Sequence, residues 1–208
     1  MSSNADLVKH LREAGYADER IANAMLKADR ANFVPERMRQ SAYLDTPLPI
    51  GHGQTISAPS MVAYMSRLLD VKEGMTVLEI GAGSGYQAAV LAELVGGKGR
   101  IITVERIAEL VEVSKSNCKR AGYSNIEFVH GDGTKGHPTS APYERIMVTA
   151  AARSVPRALE EQLAEGGKLV IPVGSAYYQD LLIIEKAKGE LHTQSTIPVI
   201  FVPLIGEG

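Results

Sequence analysis

The chain has 208 residues, 45% of them hydrophobic, and a formal net charge of −2. This length suits a single α/β domain spanning residues 1–208, and the slightly acidic balance disfavours a broad nucleic-acid-binding surface. One cysteine, Cys118, excludes an intramolecular disulfide framework. The first 15 residues contain no apolar secretion signal. We therefore expect a soluble, cytoplasmic monomer that binds neither nucleic acid nor membrane.

The first 70 residues predict helices and one irregular segment. Apolar residues at helical spacing predict helices over 6–14, 18–31 and 60–69. Residues 42–59 differ from the rest, because they combine three prolines and two glycines with few charges. A long loop within a compact domain is uncommon unless it is functional. Ser57, two residues before Pro59, could also be the N-cap of the third helix.

From residue 75 onward, predicted strands and helices alternate. The predicted strands are 76–80, 100–105, 125–130, 143–149 and 167–173, and the predicted helices are 86–95, 107–121 and 155–164. Two closing strands, 181–187 and 191–204, are separated by a short turn and must pair antiparallel. The predicted fold class is a doubly wound α/β, Rossmann-like fold. Its seven-stranded sheet is mostly parallel with an antiparallel edge, formed by residues 75–208, and residues 1–70 form an N-terminal helical extension.

The predicted strand over 76–80 ends in three alternate glycines within residues 81–85. Glycine permits a tight turn and a close approach of bare backbone to a ligand at the strand's carboxyl end. A dinucleotide fingerprint needs a small residue where Tyr86 stands, and the Gly-Lys-Ser/Thr of a P-loop is absent. With the acidic Glu79 before it, the motif resembles that of S-adenosylmethionine-dependent methyltransferases. The predicted cofactor-binding residues here are Gly81, Ala82, Gly83 and Gly85.

Two acidic residues at the ends of the next two strands extend this pattern. Glu105 lies 20 residues after Gly85, near the spacing at which a carboxylate binds ribose hydroxyls. Asp132 follows the third strand and is placed to accept a hydrogen bond from an adenine amino group, while the backbone of Gly133 could reach the ring. We add Glu105, Arg106, Asp132 and Gly133 to the predicted cofactor site, although each acid alone could be a solvated residue or turn former.

The resemblance becomes more specific upstream of the glycines. Residues 49–59 and 77–86, together with Asp132-Gly133 and the closing 201–204, resemble the protein-L-isoaspartate O-methyltransferase family. The similarity extends from about residue 20 to the end. The segment from Gln54 to Pro59 is the specific part, since the glycine motif is common to the whole methyltransferase superfamily.

The resemblance implies methyl transfer from S-adenosylmethionine to the free carboxylate of L-isoaspartyl residues in damaged proteins and peptides. It implies that Ser57 is the active-site residue and that Gln54, Thr55, Ile56 and Ser57 line the cofactor and acceptor. A carboxylate is ionised at neutral pH and needs no general base, and the sequence offers no obvious base or metal cluster. We therefore expect no metal, and catalysis by positioning. Ser57 would act as a hydrogen-bond donor, because its surroundings lack the nucleophile elbow of hydrolases.

An isoaspartyl residue differs from aspartate in its backbone path, so the polypeptide itself must be recognised. We expect residues 199–204 and the 42–59 segment to form the acceptor groove. The predicted acceptor-binding residues are Thr55, Ser57, Thr149 and Val202. Many family members carry arginine where this chain has Ile200, and a plain edge strand remains the alternative for this segment.

Two other functions remain open. One is methylation of RNA or a small molecule, for which an acidic or aromatic clamp is usual after the fourth strand. Residues 149–152 are small there, and the chain is slightly acidic. The other is a protein that binds S-adenosylmethionine without turnover.

Overall fold

The computed structural model describes residues 1–207. The helices within this range are α1 (Asn4–Glu13), α2 (Glu19–Lys27), α3 (Pro59–Leu69), α4 (Tyr86–Val95), α5 (Ala108–Arg120) and α6 (Arg157–Glu161). The strands are β1 (Leu48–Gly51), β2 (Gln54–Ile56), β3 (Thr76–Ile80), β4 (Arg100–Glu105), β5 (Ile126–His130), β6 (Tyr143–Val148), β7 (Leu163–Gly174), β8 (Gln179–Ala187) and β9 (Glu190–Val199). In this part of the chain, no helix is long and apolar enough to cross a membrane.

The main sheet has seven strands in the order β5-β4-β3-β6-β7-β8-β9. Strands β3 to β7 pair in parallel, and β8 and β9 pair antiparallel at one edge. The predicted mostly parallel sheet with an antiparallel edge is confirmed. The chain moves outward from β3 to β5 and then returns to the other side of β3 with β6. Ligands of doubly wound sheets bind where the strand order reverses in this way, so β3 and β6 mark the expected position of a site.

The buried side chains form two layers on the two faces of this sheet. Strand β3 shows the alternation, because Val77 belongs to the cluster that includes side chains of α1 to α5, whereas Leu78 belongs to the cluster that includes α6. The N-terminal helices belong to the same hydrophobic cluster as α4. The first layer is the larger, and it connects the N-terminal extension to the face of the sheet that carries α4 and α5.

The predicted helix over 18–31 is shorter in the structure. Helix α2 ends at Lys27, and Ala28 leaves helical geometry with a ψ of 67°. The side chain of Asp29 then accepts a hydrogen bond from the Ala31 amide and begins a 3-10 turn, Arg30–Asn32. Aspartate favours such caps over helix interiors because it competes for backbone amides. This break determines the position of Arg30.

The long loop predicted over residues 42–59 contains two short strands, within residues 48–56. Strands β1 and β2 form a two-stranded antiparallel hairpin in which Leu48 pairs with Ile56. His52 and Gly53 both have positive φ angles, of 52° and 70°, and turn the chain between the strands. Turns with two such residues suit the twist of a hairpin. The histidine at one of these positions obscured the signal in the sequence.

Two predicted elements near the C-terminus also have different limits. The helix expected over 155–164 is only the five residues of α6, because Leu163 already pairs with Tyr143 in the sheet. The strand expected over 191–204 ends at Val199. Beyond it, Val202 and Leu204 form backbone hydrogen bonds of 2.8 and 2.7 Å with Ala151. Residues 200–204 are therefore not an edge strand, and they pass over the carboxyl end of β6.

Candidate functional site

A cleft opens at the carboxyl ends of β3, β4 and β6, where the sheet topology predicts a ligand. Its open space is about 820 Å³ including the solvent at its mouth. The predicted site residues that line it are Gln54, Thr55, Ile56, Ser57, Gly81, Ala82, Gly83, Glu105, Arg106, Gly133, Thr149 and Val202. The structure thus brings together segments that are far apart in the sequence.

The glycine turn after β3 is held against β6. Gly81 has a φ of 98°, and a Cβ atom there would lie 2.4 Å from Oγ1 of Thr149. That Thr149 hydroxyl is within hydrogen-bond distance of the carbonyls of Ile80 and Gly81, at 3.0 and 2.8 Å. Glycine is required at position 81 by this close approach as well as by its conformation. Thr149 therefore lines the cleft and also supports its floor.

Glu105 connects the end of β4 to the glycine turn. Its Oε2 accepts a hydrogen bond from the Gly83 amide, and its Oε1 accepts one from the Ile107 amide, both at 3.0 Å. The residue is only 8% exposed. A carboxylate fixed by two backbone donors keeps unused lone pairs on both oxygens. Glu105 is therefore oriented in advance to accept hydrogen bonds from a polar ligand in the cleft.

The acidic residue of the glycine motif, Glu79, lies elsewhere. It is fully buried beneath the turn and is not among the residues that line the cleft. Thr103 donates a hydrogen bond to its Oε2, whereas its Oε1 has no hydrogen-bond partner within residues 1–207. Burial raises the pKa of Glu79 to about 8, because a charged carboxylate loses its hydration there. At neutral pH Glu79 is therefore mostly a neutral acid.

Gly85 and Asp132 are the two predicted cofactor residues that do not line the cleft. Gly85 is the N-cap of α4, with a φ of 87°, and a Cβ atom there would lie 2.8 Å from Sγ of Cys118. The Asp132 carboxylate accepts hydrogen bonds from both the amide and the hydroxyl of Thr134, at 2.9 and 2.6 Å, and from the Glu207 amide at 2.8 Å. Its contact with an adenine stays a prediction.

The N-cap interpretation of Ser57 is wrong. The N-cap of α3 is Ala58, without a side-chain hydrogen bond. The amide of Ser60 in the first turn is satisfied by Oδ1 of Asp45 at 2.8 Å. Asp45 lies too far back in the sequence for a local capping pattern to reveal it. Ser57, which is half-buried, is left to line the cleft.

The cleft also includes residues that were not predicted individually as site residues, although Leu204 belongs to the predicted 199–204 segment. Most are apolar side chains, and they supply its walls: Val62, Ile80, Val104, Ile107, Leu204 and Ile205. Ile80 and Val104 lie at or next to the ends of predicted strands and could have been selected from the rule that ligands bind at the carboxyl ends of strands. The contribution of Ile205 required knowledge of where the chain goes after β9.

Comparisons with known proteins agree on one family. The model of the family described as protein-L-isoaspartate(D-aspartate) O-methyltransferase matches residues 2–208. A protein-L-isoaspartate O-methyltransferase of Methanopyrus kandleri is 55% identical over 204 residues, covering 97% of this chain and 90% of that protein. One of Methanothrix thermoacetophila is 54% identical over 201 residues, covering 97% and 94%.

A solved structure of similar shape extends this agreement to three dimensions. It is a protein-L-isoaspartate O-methyltransferase of Plasmodium falciparum in complex with S-adenosyl-L-homocysteine. The TM-score is 0.89 at 32% identity, with 99% of each chain covered. The sheet and its glycine cleft are those of the Rossmann-like methyltransferases. Within that class, the chain belongs to the protein-L-isoaspartate(D-aspartate) O-methyltransferase family.

Proposed function

We propose that this protein transfers a methyl group from S-adenosylmethionine to the free carboxylate of L-isoaspartyl residues in damaged proteins and peptides. The products are a methyl ester and S-adenosylhomocysteine. The observation that carries the proposal is the shared cleft: the family-specific segment Gln54–Ser57 lines the same cleft as residues 81–84 of the glycine turn. The family match over residues 2–208 supports the same reaction.

The residues of the cleft fit an adenosine-containing cofactor. Glu105 presents carboxylate oxygens suited to ribose hydroxyls, and Gly81 and Gly83 expose backbone beside them. Ile80, Val104 and the other apolar walls suit an adenine ring, since nucleoside pockets are mainly apolar with few polar anchors. We propose that the remaining predicted residues, Ala82, Arg106 and Gly133, complete this part of the site.

The chemistry at the other end of the cleft requires little from the protein. When bound, S-adenosylmethionine supplies a methyl group on a positively charged sulfur. The acceptor carboxylate is ionised at neutral pH, and the described residues of the cleft include no histidine, lysine or cysteine. We propose that Ser57 donates a hydrogen bond that holds the carboxylate in line with the methyl carbon. Such alignment can contribute roughly 7–11 kcal/mol in favourable intramolecular cases.

The acceptor peptide would enter where the closing segment crosses β6. Thr55, Thr149 and Val202 line the same cleft as Ser57, and we propose that they contact the peptide chain around the isoaspartyl residue. Thr149 already holds the glycine turn, so its contribution would be to the position of both reactants. The predictions of one functional domain over 1–208, a monomeric state and a cytoplasmic location belong to this proposal.

The test is methyl transfer from radiolabelled S-adenosylmethionine to two synthetic peptides that differ only in an isoaspartyl or aspartyl residue. We expect label in the isoaspartyl peptide alone, and its release as methanol in mild base, because it is held as an ester. Base-stable label, or label in RNA or a small molecule instead, would favour the alternative methyltransferases. Binding of the cofactor without transfer would favour a non-catalytic binding protein.

A further inference from the structure

Arg30 is a fully buried cation whose partners are backbone carbonyls. Its Nη1 donates to the carbonyls of Ala42 and Leu44 at 2.7 and 3.2 Å, and its Nη2 donates to those of Thr46 and Ser57 at 3.0 and 3.1 Å. Its exposed fraction is 0%. Burial lowers the pKa of Arg30 to about 10, so the guanidinium remains charged at neutral pH.

These four carbonyls lie on both sides of the β1–β2 hairpin. Residues 42–46 precede β1, whereas Ser57 follows β2 directly. One guanidinium thus joins the two ends of the segment 42–57. The last four residues of this segment, 54–57, line the cleft. A buried charge requires such compensation, because losing its hydration costs several kcal/mol. The carbonyls in turn depend on the guanidinium, since buried acceptors without donors are costly.

Neighbouring contacts fix Arg30 in relation to this segment. The Tyr43 hydroxyl donates to Oδ1 of Asp29 at 3.1 Å, and Asp29 also caps the 3-10 turn that carries Arg30. After Ser57, Asp45 holds the first turn of α3. The Ser57 backbone is therefore fixed through its carbonyl by Arg30, and the residue lines the cleft.

We propose that Arg30 is a positioning residue for methyl transfer, which holds Ser57 and the hairpin at the distance from the glycine turn that the acceptor carboxylate requires. This proposal rests on the proposed function. Its physical basis is geometric: the two terminal nitrogens of the planar guanidinium donate to four converging carbonyls, whereas the three donors of lysine share one nitrogen on a different stem. Lysine keeps the charge but cannot reproduce this geometry.

Arg145 provides a matched control for a purely structural role. It is also buried, and its guanidinium donates to the carbonyls of Asp70, Glu144 and Gly166 at 3.2, 2.7 and 3.5 Å. It lies near the amino end of β6, whereas the cleft lies at the carboxyl ends of the strands. Arg145→Lys should therefore lower thermal stability without moving the cleft.

The experiment compares Arg30→Lys with Arg145→Lys. For each variant, kcat and KM are measured with the isoaspartyl peptide, the Kd for S-adenosylhomocysteine by calorimetry, and Tm by scanning calorimetry. We expect both variants to lose stability. Only Arg30→Lys should lower kcat/KM for the peptide, by about 10- to 100-fold, because a displacement of 1 Å can cost that much. Its Kd should change much less, by under about threefold, since Gln54–Ser57 are only part of the predicted cofactor site and Glu105 and the glycine turn are held independently of Arg30.

Equal peptide kinetics in the two variants would overturn the proposal, as would parallel losses of peptide turnover and S-adenosylhomocysteine binding in Arg30→Lys. If Arg30→Lys does not fold, amide hydrogen exchange of the wild-type protein tests the proposal instead. The proposal predicts slow exchange of the β1–β2 amides, and exchange at the rate of an unprotected loop would overturn it. Absence of methyl transfer by the wild-type protein would instead contradict the proposed function, so the two failures are distinguishable.

Discussion

Replacing Glu79 by glutamine should change how stability depends on pH. In the folded protein burial raises the pKa of Glu79 from 4.5 to about 8, whereas in the unfolded chain the residue ionises near 4.5. Between these values the folded state keeps a proton that the unfolded state releases. The free energy of unfolding of the wild type should therefore fall as pH rises through this window.

The expected magnitude follows from the width of that window. One proton of difference corresponds to about 1.4 kcal/mol per pH unit, so Glu79 should remove roughly 4 kcal/mol of stability between about pH 5 and pH 8. Glutamine has nearly the same shape, and its carbonyl can accept from Thr103 as Oε2 does now. Its amide would occupy the place of Oε1, which lacks a partner within residues 1–207. At pH 5 the variant should be within about 1–3 kcal/mol of the wild type.

The assay is urea unfolding at intervals from pH 5 to pH 8 for the wild type and Glu79→Gln. As the pH rises, the free energy of unfolding of Glu79→Gln should increase relative to that of the wild type by about 1.4 kcal/mol per pH unit. Glu190→Gln, at an exposed position on β9, is the control and should leave the wild-type profile unchanged. Parallel profiles for the wild type and Glu79→Gln would refute the assignment of Glu79 as a buried, protonated acid.

Three further substitutions test the cleft. Ser57→Ala should lower kcat about 10- to 100-fold, because it removes one hydrogen bond to a charged group. The Tm should stay unchanged, because this side chain caps no helix. A fall in Tm without a fall in kcat would contradict this. Glu105→Ala should weaken the binding of S-adenosylhomocysteine, measured by calorimetry. The expected loss is that of one or two charged hydrogen bonds, roughly 1.5–3 kcal/mol each. An unchanged Kd would show that the ribose lies elsewhere. Asp45→Ala should lower the free energy of unfolding in urea by about 1 kcal/mol, because it leaves the Ser60 amide without its capping acceptor. If no stability is lost, another group caps α3.

The parallel core was predictable because its signals are local. Each strand is a short apolar run, and the helices after β3 and β4 end at glycines, so Val77–Ile80 and the turn after it could be placed from the sequence alone. The rule that ligands bind at carboxyl edges then selected Glu105. The structure places that carboxylate in the cleft, joined to Gly83.

The remaining features depend on contacts between distant residues. Nothing near Ser57 in the sequence indicates that Asp45 caps α3, or that Arg30 binds the Ser57 carbonyl from 27 positions away. The hairpin was hidden because proline and histidine are unusual in such strands and turns. The closing segment was predicted as a strand from its apolar residues, but its partner beyond Val199 is Ala151 and not the sheet edge.

Repair of isoaspartyl residues is tested most directly by following an isoaspartyl peptide during prolonged incubation with the protein and S-adenosylmethionine. Liquid chromatography with mass spectrometry would separate the isoaspartyl, succinimide and aspartyl forms. We expect a transient methyl ester, and then a succinimide, because the following backbone amide nitrogen attacks the ester carbonyl and displaces methanol. Water then opens the succinimide ring, so a growing share of the normal aspartyl peptide should appear, while an initially aspartyl peptide stays unmethylated. Equal methylation of both peptides, or a stable methylated product without isomer conversion, would contradict it.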